Sequence, residues 1–174
     1  VSGEIPGEII REAYRTARSL IHHSSLANML ANRIMDKLDG VSLRETGGVY
    51  YIPPHAIALW DRVSKALTAV GCKLYQIPAM QGSDACAAIL DAVQREAGLL
   101  ADTLTDTLIE SELGPRALQG KVSVCDKALQ KLERYETLLG ANLEAIRSRI
   151  GALQVGYGEA AITALAGLDG LLAD

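Results

Sequence analysis

From Leu118 to Tyr157 the chain keeps one apolar position every three or four residues in a single seven-residue register. Leu118, Val122, Cys125, Leu129, Leu132, Leu139, Leu143, Ile146, Ile150, Leu153 and Tyr157 hold it, and Glu136 is its one polar member. No other feature restricts the fold as much. That spacing lines one face of a helix and is the pattern by which helices press together along their length. Burying one large aliphatic side chain is worth about 1.5–3 kcal/mol, so a seam this long must be covered. Read as one helix, Pro115–Tyr157 would extend on the order of 60 Å.

A matching partner precedes it. Cys86, Leu90, Val93, Ala97, Leu100, Leu104 and Leu108 step by fours and threes, and Leu113-Gly114-Pro115 separates the two stretches. Glycine past one helix end and proline at the next opening mark a stop followed by a start. So short a connection makes antiparallel neighbours, and residues 85–157 are expected to fold back as a helical hairpin, an antiparallel coiled coil. Pairing across Gly114 sets Leu118 near Leu108, Cys125 near Leu100 or Leu104, and Tyr135 near Val93. The second arm outruns the first. Leu143, Ile146, Ile150 and Leu153 then need cover from the rest of the chain, from the tail at 159–174, or from a second copy. Persistent heptad spacing favours the second copy, which makes these four the expected partner-binding positions of the arm. Gly140, Gly151, Gly156 and Gly158 weaken that arm, each by roughly 1 kcal/mol against Ala.

The N-terminal half reads differently. Ile5–Leu20 and Leu26–Leu38 are amphipathic helices, the second stopped by Asp39-Gly40 with the glycine in a left-handed cap. Between Leu43 and Pro54 the period drops toward two around Thr46-Gly47-Gly48, the signal of a β-hairpin with a positive-φ glycine turn. Pro53-Pro54 end it and open a helix over roughly 55–70. Cys72–Pro78 (CKLYQIP) alternates and is expected as a third strand on the hairpin. Residues 1–80 thus read as a small α+β head, and residues 81–174 as the coiled-coil hairpin with its tail, a mostly helical α+β protein.

Composition narrows the chemistry. The chain has 174 residues, 49% hydrophobic and 22% charged, with no Phe, one Trp and a net charge of −4. Cores rich in Ala and Leu suit close helix packing, and an acidic chain sets up no global field toward nucleic acid or anionic lipid. No stretch of about 18 apolar residues is present to span a bilayer. The opening residues do not resemble a signal peptide, and the lack of an initiator Met suggests a piece of a longer protein. A cytoplasmic protein is expected, with Cys72, Cys86 and Cys125 as free thiols. His22, His23 and His55 have no carboxylate or thiol at ligand spacing, so no metal, cofactor or catalytic site is expected. Tyr50, Tyr51 and Trp60 form an aromatic cluster; one tyrosine anchors the head and the other is offered to a partner. Helix, break, helix and hairpin also follow the order of a winged helix. In that reading Asn28, Asn32, Arg33 and Lys37, with Arg44 on the approach to the turn, would contact DNA.

The run Gly47-Gly48-Val49-Tyr50-Tyr51-Ile52-Pro53, followed by a helix, a strand ending in proline and a long heptad segment with KALQKLERYETLLGANLEAI, resembles an uncharacterised group of bacterial and phage proteins. That group carries a GGVYFVP-like motif ahead of a coiled-coil hairpin; here Tyr51 and Ile52 stand in the motif's Phe and Val positions. The resemblance covers residues 40–155 and implies an architecture but no chemistry. The function expected is therefore a non-enzymatic protein-interaction, adaptor or inhibitor role, with self-association through the arm. The second reading is a winged-helix-like DNA-binding protein that dimerises through the coiled coil.

Overall fold

The computed structural model describes residues 11, 35–45, 48–69, 71–78, 82–110 and 112–171. The expected helix over 5–20, most of that over 26–38, and His22 and His23 lie outside the described residues. Described elements follow in the order α1 (Met35–Leu38), β1 (Val41–Ser42), β2 (Tyr50–Tyr51), a 3-10 turn (Pro54–Ala56), α2 (Ile57–Ala69), α3 (Ser83–Glu110), α4 (Pro115–Leu139) and α5 (Glu144–Leu171). Among the described residues the protein is mostly helical, with one two-stranded antiparallel hairpin.

The second arm is two helices. Gly140 takes φ 60 and ψ 27, a left-handed C-cap that ends α4. The chain then reverses. Asn142 Oδ1 accepts the Glu144 backbone N–H at 2.8 Å and Glu136 Oε1 accepts that of Leu143 at 2.7 Å, so the first free donors of α5 are met. Glu136 also takes Arg147 at 2.7 Å. The one polar member of the stripe is thus the residue that fastens the turn. The expected continuous helix is corrected to an α4–α5 reversal, because glycine and asparagine satisfy there what a straight helix would leave unbroken.

The outcome is a three-helix bundle. Lys131 Nζ meets Glu96 at 2.6 Å across α3 and α4, and Leu118 and Leu108 join the same core. Arg149 meets Asp102 at 2.6 Å, and the buried Tyr157 hydroxyl donates to the Leu104 carbonyl at 2.5 Å, so α5 runs alongside α3 in the same direction. Gln154 donates to Asp126, which fixes α5 against α4. Leu104, Leu118, Cys125, Leu132, Tyr135, Leu143, Ile150 and Tyr157 are among the residues of one buried core. Where a Cβ would stand on Gly156, Leu108 Cδ2 lies 3.3 Å away, so α3 and α5 approach closely there.

The hairpin pairs Val41 with Tyr51 and Ser42 with Tyr50, and the Leu43 N–H donates to the Val49 carbonyl at 3.0 Å. Val41, 1% exposed, enters the bundle core. The turn does not draw on Gly48 for a left-handed conformation, and nothing lies within 4 Å of a Cβ built there. At the end of α1 it is Asp39, not Gly40, that adopts positive φ (53°).

No third strand forms: the sheet has two strands among the described residues. The outer edge of β1 is already taken, because Gly40 and Ser42 carbonyls accept Lys131 Nζ at 2.8 Å and Arg95 Nη2 at 2.9 Å. Residues 72–78 lie along α2 instead, with Leu74 and Gln76 beside Ser64, Lys65 and Thr68. Gly71, at φ 88, and Cys72 donate backwards to Thr68 and Leu67 and close α2 before that segment begins.

Candidate functional site

The GGVYYIPP segment lands where the hairpin meets the bundle. Its two tyrosines point to opposite faces, as alternate strand residues must. Tyr50 packs with Leu38, Ala56, Ile52 and Trp60 in a small local core. Tyr51 packs on the bundle core, its ring 6.4 Å from that of Tyr135 and tilted by 58°. Both are half-buried. Burial raises the Tyr51 phenol, with Cys86 adding to the shift. Tyr135 is raised much further, chiefly by burial and then by Tyr51, Glu96 and Asp39. It stays a neutral hydroxyl that donates to the Asp39 carbonyl at 2.7 Å.

Asp39 is the centre of the junction. Its left-handed backbone turns the chain from α1 into β1. Its carboxylate accepts Arg134 Nη1 of α4 at 2.5 Å and stands 3.0 Å from His55 Nε2. The carboxylate is 15% exposed, while Arg134 and His55 are 48% and 50% exposed, so solvent screens the pairing and its main effect is to fix geometry. One residue therefore ties the end of α1, the Pro-Pro turn and α4 together.

Beside that knot lies a groove of about 340 Å³, walled by Pro53, Pro54 and His55 on one side and by Glu133, Arg134, Tyr135, Thr137 and Leu138 on the other. Pro53 sits at φ −69 and ψ 155 and Pro54 opens the 3-10 turn, so one wall is conformationally fixed. The opposite wall is one face of a helix. Leu138, 41% exposed, offers apolar surface at its end. A histidine held by an aspartate is an arrangement used in general-base chemistry, but Thr137, the one hydroxyl of a wall side chain besides Tyr135, donates to Glu133 within its own helix. That geometry presents no activated nucleophile. Among the described residues no group of three His, Cys, Asp or Glu side chains converges to hold a metal.

The expected site residues separate. Leu143 (2% exposed), Ile150 (0%) and Leu153 (9%) are inside the chain's own core, and Ile146 packs against it. The reversal at Gly140 supplies, within the chain, the cover that a second copy was expected to give to these four. Asn28, Asn32 and Arg33 lie outside the described residues; Lys37 and Arg44 are exposed. Of the thiols, Cys125 is buried and raised by burial and by Asp126, Cys72 is half-buried and Cys86 exposed. Sequence reasoning missed the Asp39–Arg134–His55 knot. Its members are separated by up to 95 residues, and no local pattern joins them.

No described helix is long and apolar enough to cross a membrane. No curated protein matches the chain, and no solved structure matches it. A family of unknown function, DUF6744, matches residues 8–166, and the chain belongs to that family.

Proposed function

We propose that the protein is a non-enzymatic interaction module that docks an apolar side chain of a partner protein in the groove between Pro53-Pro54 and α4. The observation that carries this reading is the groove itself. It is formed in the free chain, one wall is fixed by two prolines and tied to the other through Asp39, and its lining is apolar beneath a rim of His55, Glu133 and Arg134. A pre-formed apolar slot with a polar rim is the geometry that anchors a partner's hot-spot residue, because little ordering entropy is lost on docking. An adaptor or inhibitor role would suit a phage or mobile-element origin, and such a surface fits it.

Quantitative affinity capture from a native lysate tests it, with Leu138→Asp set against Ile109→Asp, a control at a residue 77% exposed on α3. Partners retained by the control and lost with Leu138→Asp support groove docking. A capture list unchanged by Leu138→Asp removes the groove from the mechanism.

A further inference from the structure

The two edges of the hairpin differ. In an antiparallel pair the backbone groups of successive residues point alternately toward the neighbouring strand and away from it. Leu43 donates to Val49, and Val41 stands opposite Tyr51 two residues along the same register. Val41 and Tyr51 therefore exchange hydrogen bonds, while Ser42 and Tyr50 turn theirs outward. On the β1 side the outward carbonyls of Gly40 and Ser42 accept Lys131 and Arg95. On the β2 side Tyr50 and Ile52 are the outward residues, and among the described residues nothing bonds to their backbone groups. Pro53 has no N–H and ends that edge. The groove begins at the same residue, since Pro53 and Pro54 wall it with Leu138. Along α4, Leu138 lies seven residues beyond the lysine on the β1 edge, about 10 Å of helix. The open edge of β2 thus runs straight into the groove.

We infer that the partner delivers its anchoring side chain on an extended segment that adds to β2 as a third strand. The anchor rests on the groove reading above; the strand rests on the backbone pattern of the hairpin. The chemistry of the edge selects the occupant. Tyr50 and Ile52 each offer one donor and one acceptor, repeated about 6.8 Å apart along the strand. Another extended backbone carries the matching donors and acceptors at that spacing, whereas a lone cation or anion meets only one kind. In such strand addition the main chain supplies affinity and a pocket for one side chain supplies specificity. Here the pocket is the groove, one residue past the last outward amide. The proline at that point also limits the ladder to a short one, so sheets do not grow from this edge.

Amide exchange of the free chain reads the edge directly. Tyr51, bonded to Val41, should be protected, and Tyr50 and Ile52 on either side of it should exchange at least tenfold faster. Equal protection of all three shows that the chain covers its own edge and overturns the inference. Peptides selected on the full chain from a random linear dodecapeptide library then serve as probes. The tightest should slow the Tyr50 and Ile52 amides at least tenfold. N-methylation of that peptide, one residue at a time, should weaken binding at least tenfold at two positions flanking an insensitive one, because only alternate amides of an added strand face the sheet. A scan without that alternation overturns the inference, as does a selection in which no peptide protects Tyr50 and Ile52. Leu138→Asp separates the strand from the groove. Binding lost with Leu138→Asp but indifferent to N-methylation keeps the groove and removes the strand. An alternating pattern that survives Leu138→Asp keeps the strand and removes the groove.

Discussion

Replacing Gly140 by alanine discriminates between a chain that turns back after α4 and one that runs on as a single helix, because the two demand effects of opposite sign. In a continuous helix an alanine would stabilise, since glycine in a helix interior costs about 0.5–1 kcal/mol. At φ 60 the alanine must instead hold a left-handed conformation, which costs an L-residue about 1–2 kcal/mol. No atom lies within 4 Å of the added Cβ, so no clash adds to that figure. Against it stands the reduced freedom of the unfolded chain, about 0.4–1 kcal/mol in favour of alanine. The net expectation is a loss of up to about 1.5 kcal/mol, with no gain. Gly120 is the internal standard: it lies within α4, is exposed, and has the same open space around its Cβ position. Gly120→Ala should therefore stabilise by about 0.5–1 kcal/mol. Urea unfolding of the three proteins, with equal m-values, gives both differences. Gly140→Asn should lose less than Gly140→Ala, since asparagine tolerates the left-handed region. If Gly140→Ala stabilises as Gly120→Ala does, the reversal at Gly140 is wrong, and with it the three-helix bundle.

Ile150, fully buried among three helices, should lose about 2–5 kcal/mol as Ile150→Ala, and Ile150→Asp should abolish the cooperative thermal transition rather than alter oligomeric state. Tyr135 is neutral in the fold with its phenol raised from the usual 10. Its contribution is therefore intact below pH 10 and is lost as pH rises above that value, because only the unfolded chain ionises it readily. A base titration followed by far-ultraviolet circular dichroism should show unfolding begin above pH 10, with a shallower slope for Tyr135→Phe. Gly48→Val should leave the melting temperature nearly unchanged, since that position is neither left-handed nor crowded; a large drop would return a conformational role to it.

The helical seams and their register were legible because each rests on a period that survives in any context. Lys131 opposite Glu96 is where pairing about Gly114 places it. The α4–α5 break was legible too, in principle: Leu139-Gly140-Ala141-Asn142 carries a left-handed cap followed by a capping asparagine, and Glu136 breaks the stripe one turn earlier. Strong heptad spacing on both sides masked those signals, because a reversal that adds the right number of residues keeps the register. Cys72–Pro78 failed for another reason. Alternation describes how a segment presents its side chains, whereas a strand needs a partner edge, and on the β1 side that edge is held by Arg95 and Lys131. The groove was illegible: Pro53 and Leu138 become neighbours only after the bundle and hairpin have joined.

The hydrogen bonds that seat the hairpin on the bundle have a consequence for the order of folding. Arg95 reaches Ser42 across 53 residues, while Lys131, Arg134 and Tyr135 reach Gly40 and Asp39 across 91, 95 and 96. Contacts this distant reward the chain only after a long loop has closed, whereas α4 and α5 meet across a turn of a few residues. The helices should accordingly carry the transition state, with the hairpin docking on the downhill side. During synthesis the mismatch becomes a waiting time. At about 5–20 residues per second, the carbonyls of Asp39 and Gly40 emerge about 5–20 s before the α4 side chains that will satisfy them. For that interval the edge of β1 lacks the side chains that will cover it.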